Sequence, residues 1–327
     1  MDIVACTDKN YMMPCGVMLY SICKNNKSEK ITFHIICDNS LDKECKKSLE
    51  TSIICNYENN KEILFYEIDT ESLHNLPRLD ETNPKNYITP ATYYRLYLTN
   101  IIPNNIDKVL YLDCDIIVRH SLKDLWDTDI SNYSVAVVPD VAEGLIDKYN
   151  RLRYPQSRGY YNSGVQLINL KKWREEDKLS AFIKFMNEHP DWIKFHDQDV
   201  MNRVFYDDKM YLPIKYNFQE GFLWNDIFYD YWKYEKQVLA ARKDPVILHF
   251  TDSKPWIEGC EHPFKEEFFK YQRETEWAGT PLLPNGPIPS LKDKIKIFIK
   301  NQLRHMKILS PLPTYPPKYI NIDYNVK

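Results

Sequence analysis

The chain has no run of about eighteen consecutive apolar residues among its 327, which excludes a membrane-spanning helix and leaves peripheral contact as the expected route to a bilayer. Glycine is scarce, 8 in all, and neither G-x-G-x-x-G nor G-x-x-x-x-G-K-[ST] occurs, so the glycine-cradled dinucleotide and P-loop readings lose their main support. The eight cysteines, at 6, 15, 23, 37, 45, 55, 114 and 260, form no C-x-x-C pair and no recurring frame. That argues against a cysteine zinc site and for reduced thiols in a core. The opening Met1-Asp-Ile-Val-Ala-Cys6 lacks the basic region, apolar core and cleavage site of a secretory leader, so a cytoplasmic protein is expected. No nucleic-acid partner is expected.

What remains is ordinary globular composition, 43% hydrophobic and 27% charged, enough to bury a large core. The net charge of −3 hides an asymmetry: residues 291 to 327 carry eight Lys/Arg and two Asp. The body is therefore acidic and the tail basic. Between them, Pro281 to Pro289 holds four prolines in nine residues, which opposes helix and sheet and marks a linker over 281–290. One α/β domain over 1–280, a linker and a tail over 291–327 is the expected organisation.

Within the body, short apolar runs alternate with helical patterns, the signature of α/β architecture with a largely parallel sheet. Strands are expected at 3–6, 32–37, 63–68, 108–118, 135–138 and 165–169. Helices are expected at 15–24, 41–49, 89–98 (Thr89 as N-cap, Pro90 at its first position), 171–187 and 199–206. Tyrosine, 24 in all, clusters at 87–97 and 206–234, where packing is the plainer role and sugar or nucleotide contact the other.

The most informative stretch is Val109-Leu-Tyr-Leu-Asp113-Cys114-Asp115-Ile-Ile-Val118. Ionised carboxylates are costly to bury without a cation, and a two-residue period turns both onto one strand face, where they repel. A divalent ion resolves both problems. Oxygen ligands alone suit Mg²⁺ or Mn²⁺, and an added imidazole tilts the preference to Mn²⁺. The bland alternative is a strand that ends early and leaves both aspartates solvated in a loop. A second stretch, Val246-Ile-Leu-His249-Phe-Thr-Asp-Ser-Lys254-Pro-Trp256, delivers an imidazole that can complete a manganese shell and an ammonium that can neutralise a diphosphate. By itself it reads more readily as a hydrogen-bonded packing histidine than as a ligand.

Together these residues resemble bacterial family 8 glycosyltransferases, the group of lipooligosaccharide galactosyltransferases and, more distantly, glycogenin. Asp113-Cys114-Asp115 is similar to the family's D-x-D, and Asp2-Ile-Val-Ala-Cys-Thr7-Asp8-Lys-Asn10-Tyr11 resembles its uridine-binding strand and loop. Thr92-Tyr-Tyr-Arg95-Leu resembles its Y-x-R-L helix, and Ser121 to Asp129 the segment that follows D-x-D. Tyr160-Tyr-Asn162-Ser163-Gly164-Val-Gln-Leu-Ile-Asn-Leu-Lys-Lys-Trp173-Arg is similar to its F-N-[AS]-G-V-x-L-I-N-L-x-x-W-R signature, Asp197-Gln198-Asp199 to its D-Q-D, and His249 to Trp256 to its H-[FY]…K-P-W.

The resemblance implies a GT-A fold, a single α/β domain with its nucleotide-sugar pocket at the carboxyl edge of the sheet. It also implies a retaining transferase that takes UDP-glucose or UDP-galactose with Mn²⁺, Mg²⁺ being the substitute, and serves a glycan, lipopolysaccharide or other cell-surface acceptor. Carried over, Asp8 and Asn10, within the Thr7 to Tyr11 segment, would hold uridine and ribose. Asp113, Asp115 and His249 would ligate the metal, with Cys114 between the aspartates, and Lys254 would assist at the diphosphate. Arg95, Asn162, Ser163 and Asp197 would meet the donor sugar or phosphates, and Asp140 the sugar or acceptor side. Gln198 would face the anomeric carbon; an amide is a poor nucleophile, which favours front-face substitution over a covalent intermediate.

Two other functions fit parts of the pattern. A strand ending in D-x-D also opens haloacid-dehalogenase-like phosphatases, whose first Asp is a nucleophile, though there it sits near the start of the domain. A non-catalytic, metal-dependent sugar-nucleotide-binding module is the third reading. In the tail, Leu291, Ile295, Phe298, Ile299, Met306 and Leu309 fall on one helical stripe, and Lys292, Lys296, Lys300, Arg304 and Lys307 on another. A basic amphipathic helix over 291–309 suits the anionic inner face of a membrane, where lipid-linked acceptors would be presented; folding back onto the acidic body is the alternative.

Overall fold

The computed structural model describes residues 1–54, 60–68, 91–224 and 231–286, with 292, 296, 298–300, 302 and 319 beyond them. Ten strands occur in chain order: β1 (Asp2–Thr7), β2 (Ile31–Cys37), β3 (Lys61–Glu67), β4 (Lys108–Leu112), β5 (Ile116–Val118), β6 (Val135–Pro139), β7 (Tyr161–Asn169), β8 (Lys209–Tyr211), β9 (Phe218–Gln219) and β10 (Ile247–His249). Seven of them form the main sheet in the order β3-β2-β1-β4-β7-β6-β8, and β5-β10-β9 form a second, small sheet. In the main sheet β3, β2, β1 and β4 run parallel and β8 is parallel to β6, while β7 is antiparallel to both its neighbours. The α/β architecture and mostly parallel centre match the sequence expectation.

A two-residue period sorts the central strands between two cores. Ile3, Ala5, Leu110 and Leu112 enter one, packed under the helix Met12–Asn25. Val4, Cys6, Val109 and Tyr111 enter the other, where the rings of Trp173, Phe182 and Phe205 pack with centroids 5.1 to 5.5 Å apart. Tyr93, Tyr94, Tyr111, Tyr160 and Tyr161 are buried here, so tyrosine is mainly a packing residue in this fold. Cys6, Cys15, Cys23, Cys37, Cys45 and Cys114 are buried, free thiols; Cys55 lies outside the described residues.

Three expected elements differ. The run 108–118 is two strands, because the chain leaves the main sheet after Leu112 and re-pairs at Ile116 with β10. The helix expected over 171–187 is two, Leu170–Glu175 and Lys178–Glu188, broken where Asp177 turns left-handed (φ 47°) and its carboxylate caps the Ser180 N–H. The linker is partly bound: Leu283 donates its N–H to Trp256 O and accepts from Glu258 N, both at 2.8 Å. The prolines flank that bridge rather than occupy its bonding position, so it survives them. The cap Thr89-Pro90 lies outside the described residues, as does most of the tail helix. No helix among the described residues is long and apolar enough to cross a membrane.

Candidate active site

The break between β4 and β5 places the chemistry. Asp113 stands just past the end of a central strand and Asp115 just before the start of a strand in the second sheet. In that second sheet β5 pairs antiparallel with β10, Ile116 opposite His249, so the imidazole is delivered beside the aspartates. Asp115 Oδ1 lies 3.1 Å and Asp113 Oδ2 3.8 Å from His249 Nε2. The ligand atoms of all three residues fall within 4.8 Å of one another. Two hard carboxylates and an imidazole are a donor set for Mn²⁺ or a similar divalent ion. Gly164 makes the approach feasible, since a Cβ there would stand 2.2 Å from His249 Cε1 and 2.6 Å from Asp113 Oδ2.

Charged neighbours hold the cluster. Arg95, buried, sits 2.8 Å from Asp113 Oδ1 and 3.2 Å from Asp197 Oδ2, donates to Ser163 O at 2.8 Å and lies over the Tyr111 ring. Lys254 donates to Asp115 Oδ2 at 2.5 Å. Burial alone would raise the Asp115 carboxyl, but Lys254 and His249 together outweigh it and hold it well below the ordinary range. Asp197 goes the other way: burial, opposed by Arg95 and assisted by Asp113, lifts it to about 6. Its Oδ2 has no aligned hydrogen bond among the described residues.

These groups line one cavity of about 1080 Å³ at the carboxyl edge of β1 and β4. Of the residues expected from sequence it gathers Thr7, Asp8, Tyr11, Arg95, Asp113, Cys114, Asp115, Asn162, Ser163, Asp197, Gln198, His249 and Lys254. Asn10 is exposed and Asp140 is buried, and neither lines it. The Asp8 carboxylate accepts the N–H groups of Asn10 and Tyr11 at 2.8 and 3.1 Å, so it first serves to cap its own turn. Asp140 accepts from Lys148 at 2.8 Å and from the cavity-lining Gln198 Nε2 at 3.3 Å. The Ser163 N–H donates to Gln198 Oε1 at 3.0 Å, which fixes that amide's direction. Asn162 to Gly164 project because the β6–β7 register jumps between Val137 and Val138.

Sequence reasoning missed two contributors. Asn285 and Gly286 close one wall of the cavity, brought there by the Leu283 bridge. Glu220, wholly buried, accepts from Ser253 N at 2.5 Å, Ser253 Oγ at 2.9 Å and Tyr319 Oη at 2.6 Å, and so braces the loop that carries Lys254. The available signal was a carboxylate in Phe218-Gln-Glu220-Gly-Phe-Leu223, set between aromatic residues, which needs donors if buried.

The profile of the family described as "Glycosyl transferase family 8" matches residues 2–260. The chain belongs to family 8 of the glycosyltransferases. It is a glycosyltransferase by that membership, and the dehalogenase-like phosphatase reading falls away. General stress protein A of Bacillus subtilis (strain 168) is 31% identical over 289 residues, 86% of this chain and 97% of that protein. The lipopolysaccharide glucosyltransferase WaaO of Escherichia coli (strain K12) is 29% identical over 325 residues, covering 96% and 89%. Among solved structures, the galactosyltransferase LgtC in complex with donor and acceptor sugar analogs superposes with TM-score 0.73 at 26% identity, over 84% of this chain and 96% of that one. The glycosyltransferase fold is therefore the GT-A arrangement expected from the motifs.

Proposed function

We propose that this glycosyltransferase moves a hexose, glucose or galactose, from a UDP-sugar to a lipopolysaccharide or other cell-surface glycan with retention of configuration, in a Mn²⁺-dependent reaction. The observation that carries the reading is the Asp113, Asp115 and His249 cluster beside Lys254 on the wall of one large cavity. Similarity to a lipopolysaccharide glucosyltransferase and to a galactosyltransferase supports the donor and acceptor classes.

Asp113, Asp115 and His249 would hold a divalent ion, which would supply Lewis-acid stabilisation of the charge that develops on the diphosphate leaving group. Lys254 adds a point charge there, exchanging its present partner Asp115 for phosphate oxygen. Asp8 and Tyr11, and Asn10 beside them, hold the nucleoside, while Arg95, Asn162, Ser163 and Asp197 orient the sugar and phosphates. Gln198, pinned through Ser163 N–H and Tyr160 Oη, stabilises positive charge at the anomeric centre rather than attacking it. Residues 1–280 form the catalytic unit, and the basic tail of 291–327 docks it on the inner face of an anionic membrane. Phe298 and Ile299, 64% and 50% exposed beside exposed Lys296 and Lys300, support that role.

The test is UDP release from UDP-glucose and UDP-galactose, with Mn²⁺ or EDTA, on the wild type and on Asp113→Ala/Asp115→Ala. Slow hydrolysis of one donor that needs Mn²⁺ and disappears in the variant supports the proposal and names the sugar. Mn²⁺-dependent UDP binding with no turnover, even with lipopolysaccharide supplied, leaves the binding-module reading. Turnover unaffected by EDTA and by both substitutions overturns the metal assignment.

A further inference from the structure

Asn217 is wholly buried, lies off the cavity wall and joins His249 to Asn162. The hydrogen bonds around it have only one consistent direction. The Gly164 N–H, 3.0 Å from one amide atom of Asn162, can only donate, so that atom is Oδ1. The Asn217 atom 2.9 Å from the same Oδ1 must then be its NH₂, which leaves Asn217 Oδ1 as the atom 2.8 Å from His249 Nδ1. An oxygen at that place requires the hydrogen to be on Nδ1. Nε2 is therefore the nitrogen turned to Asp115 and Asp113, 3.1 and 3.8 Å away. At the other end both neighbours take Asn162 Oδ1, so the Asn162 NH₂ is the end left for a ligand, on a residue that lines the cavity.

We propose that Asn217 is a positioning residue which, keyed by the Gly164 N–H, fixes both the tautomer of the His249 metal ligand and the donor face that Asn162 offers the nucleotide sugar. The inference rests on the Asp-Asp-His reading proposed above. It accounts for Gly164 twice, since the same residue supplies the N–H and, by lacking a Cβ, lets the imidazole reach Asp113. Ligating histidines are commonly oriented through their second nitrogen, and loss of that partner weakens metal binding by about 10- to 100-fold. Here the partner is an amide, which has a donor to spare for a second task.

The experiment measures Mn²⁺ binding in the presence of UDP from the electron paramagnetic resonance signal of the free ion. Calorimetry then gives the affinities for UDP-glucose and UDP-galactose relative to UDP. Asn217→Leu, which removes both hydrogen bonds, is expected to weaken Mn²⁺ by about 10- to 100-fold. Asn217→Asp keeps an acceptor for His249 Nδ1–H and is expected to hold Mn²⁺ within about threefold of wild type. Its carboxylate draws the Asn162 NH₂ inward, so the advantage of the better UDP-sugar over UDP falls by about tenfold.

A wild type that binds no Mn²⁺ overturns the Asp-Asp-His reading, and this inference with it. A wild type that binds while both variants bind equally well overturns the inference alone. Should the Leu variant not fold, the Asp variant decides: retained Mn²⁺ with weakened sugar discrimination supports the relay, and parallel loss or no change in both reduces Asn217 to a packing residue.

Discussion

Arg95 does more than any other single side chain in the cavity wall, because it neutralises Asp113 and Asp197 at once and holds the Ser163 carbonyl. Arg95→Leu leaves the buried Asp197 and the half-buried Asp113 without their cation and should lower stability by about 3–5 kcal/mol, read from urea unfolding. Gly164→Ala should keep the fold yet weaken Mn²⁺ at least about tenfold, since the new Cβ would displace His249 or Asp113. Asp197 carries a pH signature. Its carboxyl is raised by burial from 3.8 to about 6, against the pull of Arg95 and with Asp113 and Ser163 facing it. The folded chain therefore favours the protonated form, and the stability this contributes is present below pH 3.8 and lost as pH climbs to about 6. In metal-free protein, Asp197→Asn should abolish that decline, roughly 2–3 kcal/mol, in unfolding titrations across the window. Equal slopes in both proteins would show that another group is responsible.

At the scale of elements, the helix His196–Val204 presents Asp197 and Gln198 to the cavity, and its seating depends on a residue that does not line it. Asp199, wholly buried, accepts from Lys194 N and Phe195 N at 2.7 Å each, from Tyr160 Oη at 2.8 Å and from Arg151 at 2.6 Å. Those bonds tie the helix start to β7 and to the helix Ile146–Leu152, and they hold His196 at a left-handed φ of 48°. Arg151→Leu should cost about 3–5 kcal/mol by stranding that carboxylate, and Asp199→Asn less, because the amide keeps one acceptor. Both should reduce turnover more than nucleotide binding, since Gln198 moves and Asp8 does not. The D-Q-D motif was legible as a helix start with the right neighbours. That its last aspartate ties the helix to distant segments was not, because its side-chain partners Tyr160 and Arg151 lie 39 and 48 residues away.

Across the whole molecule, the Asp113, Asp115 and His249 cluster sits where two sheets meet, and Tyr319 of the tail reaches the same place. Tyr319 pairs with Trp224 through the backbone and bonds through its hydroxyl to Glu220 and Ser253, beside Lys254. Tyr319 of the tail thus contacts the body, while Phe298 and Ile299 are exposed. Both roles are separable by experiment. Deleting 291–327 should abolish sedimentation with anionic liposomes and also loosen the Lys254 loop, whereas Tyr319→Phe should lower stability by about 1 kcal/mol and leave liposome binding intact. Liposome binding unchanged by the deletion would remove the membrane role.

The sequence by itself determined the alternation of strands and helices, the family and most of the cavity's charged residues. These signals are local: period-two apolar runs, carboxylates too costly to bury alone and motifs in fixed order. Only the tertiary structure decided that Asp113 and Asp115 flank a strand break rather than share a strand face. The reason is that β5 finds its hydrogen-bonding partner in β10, 129 to 133 residues further on at the paired positions. It likewise decided that Asn217, Glu220, Leu283 and Tyr319 serve the site. Each acts through a few hydrogen bonds to distant segments, and a hydrogen bond of that kind leaves no period in the chain that makes it.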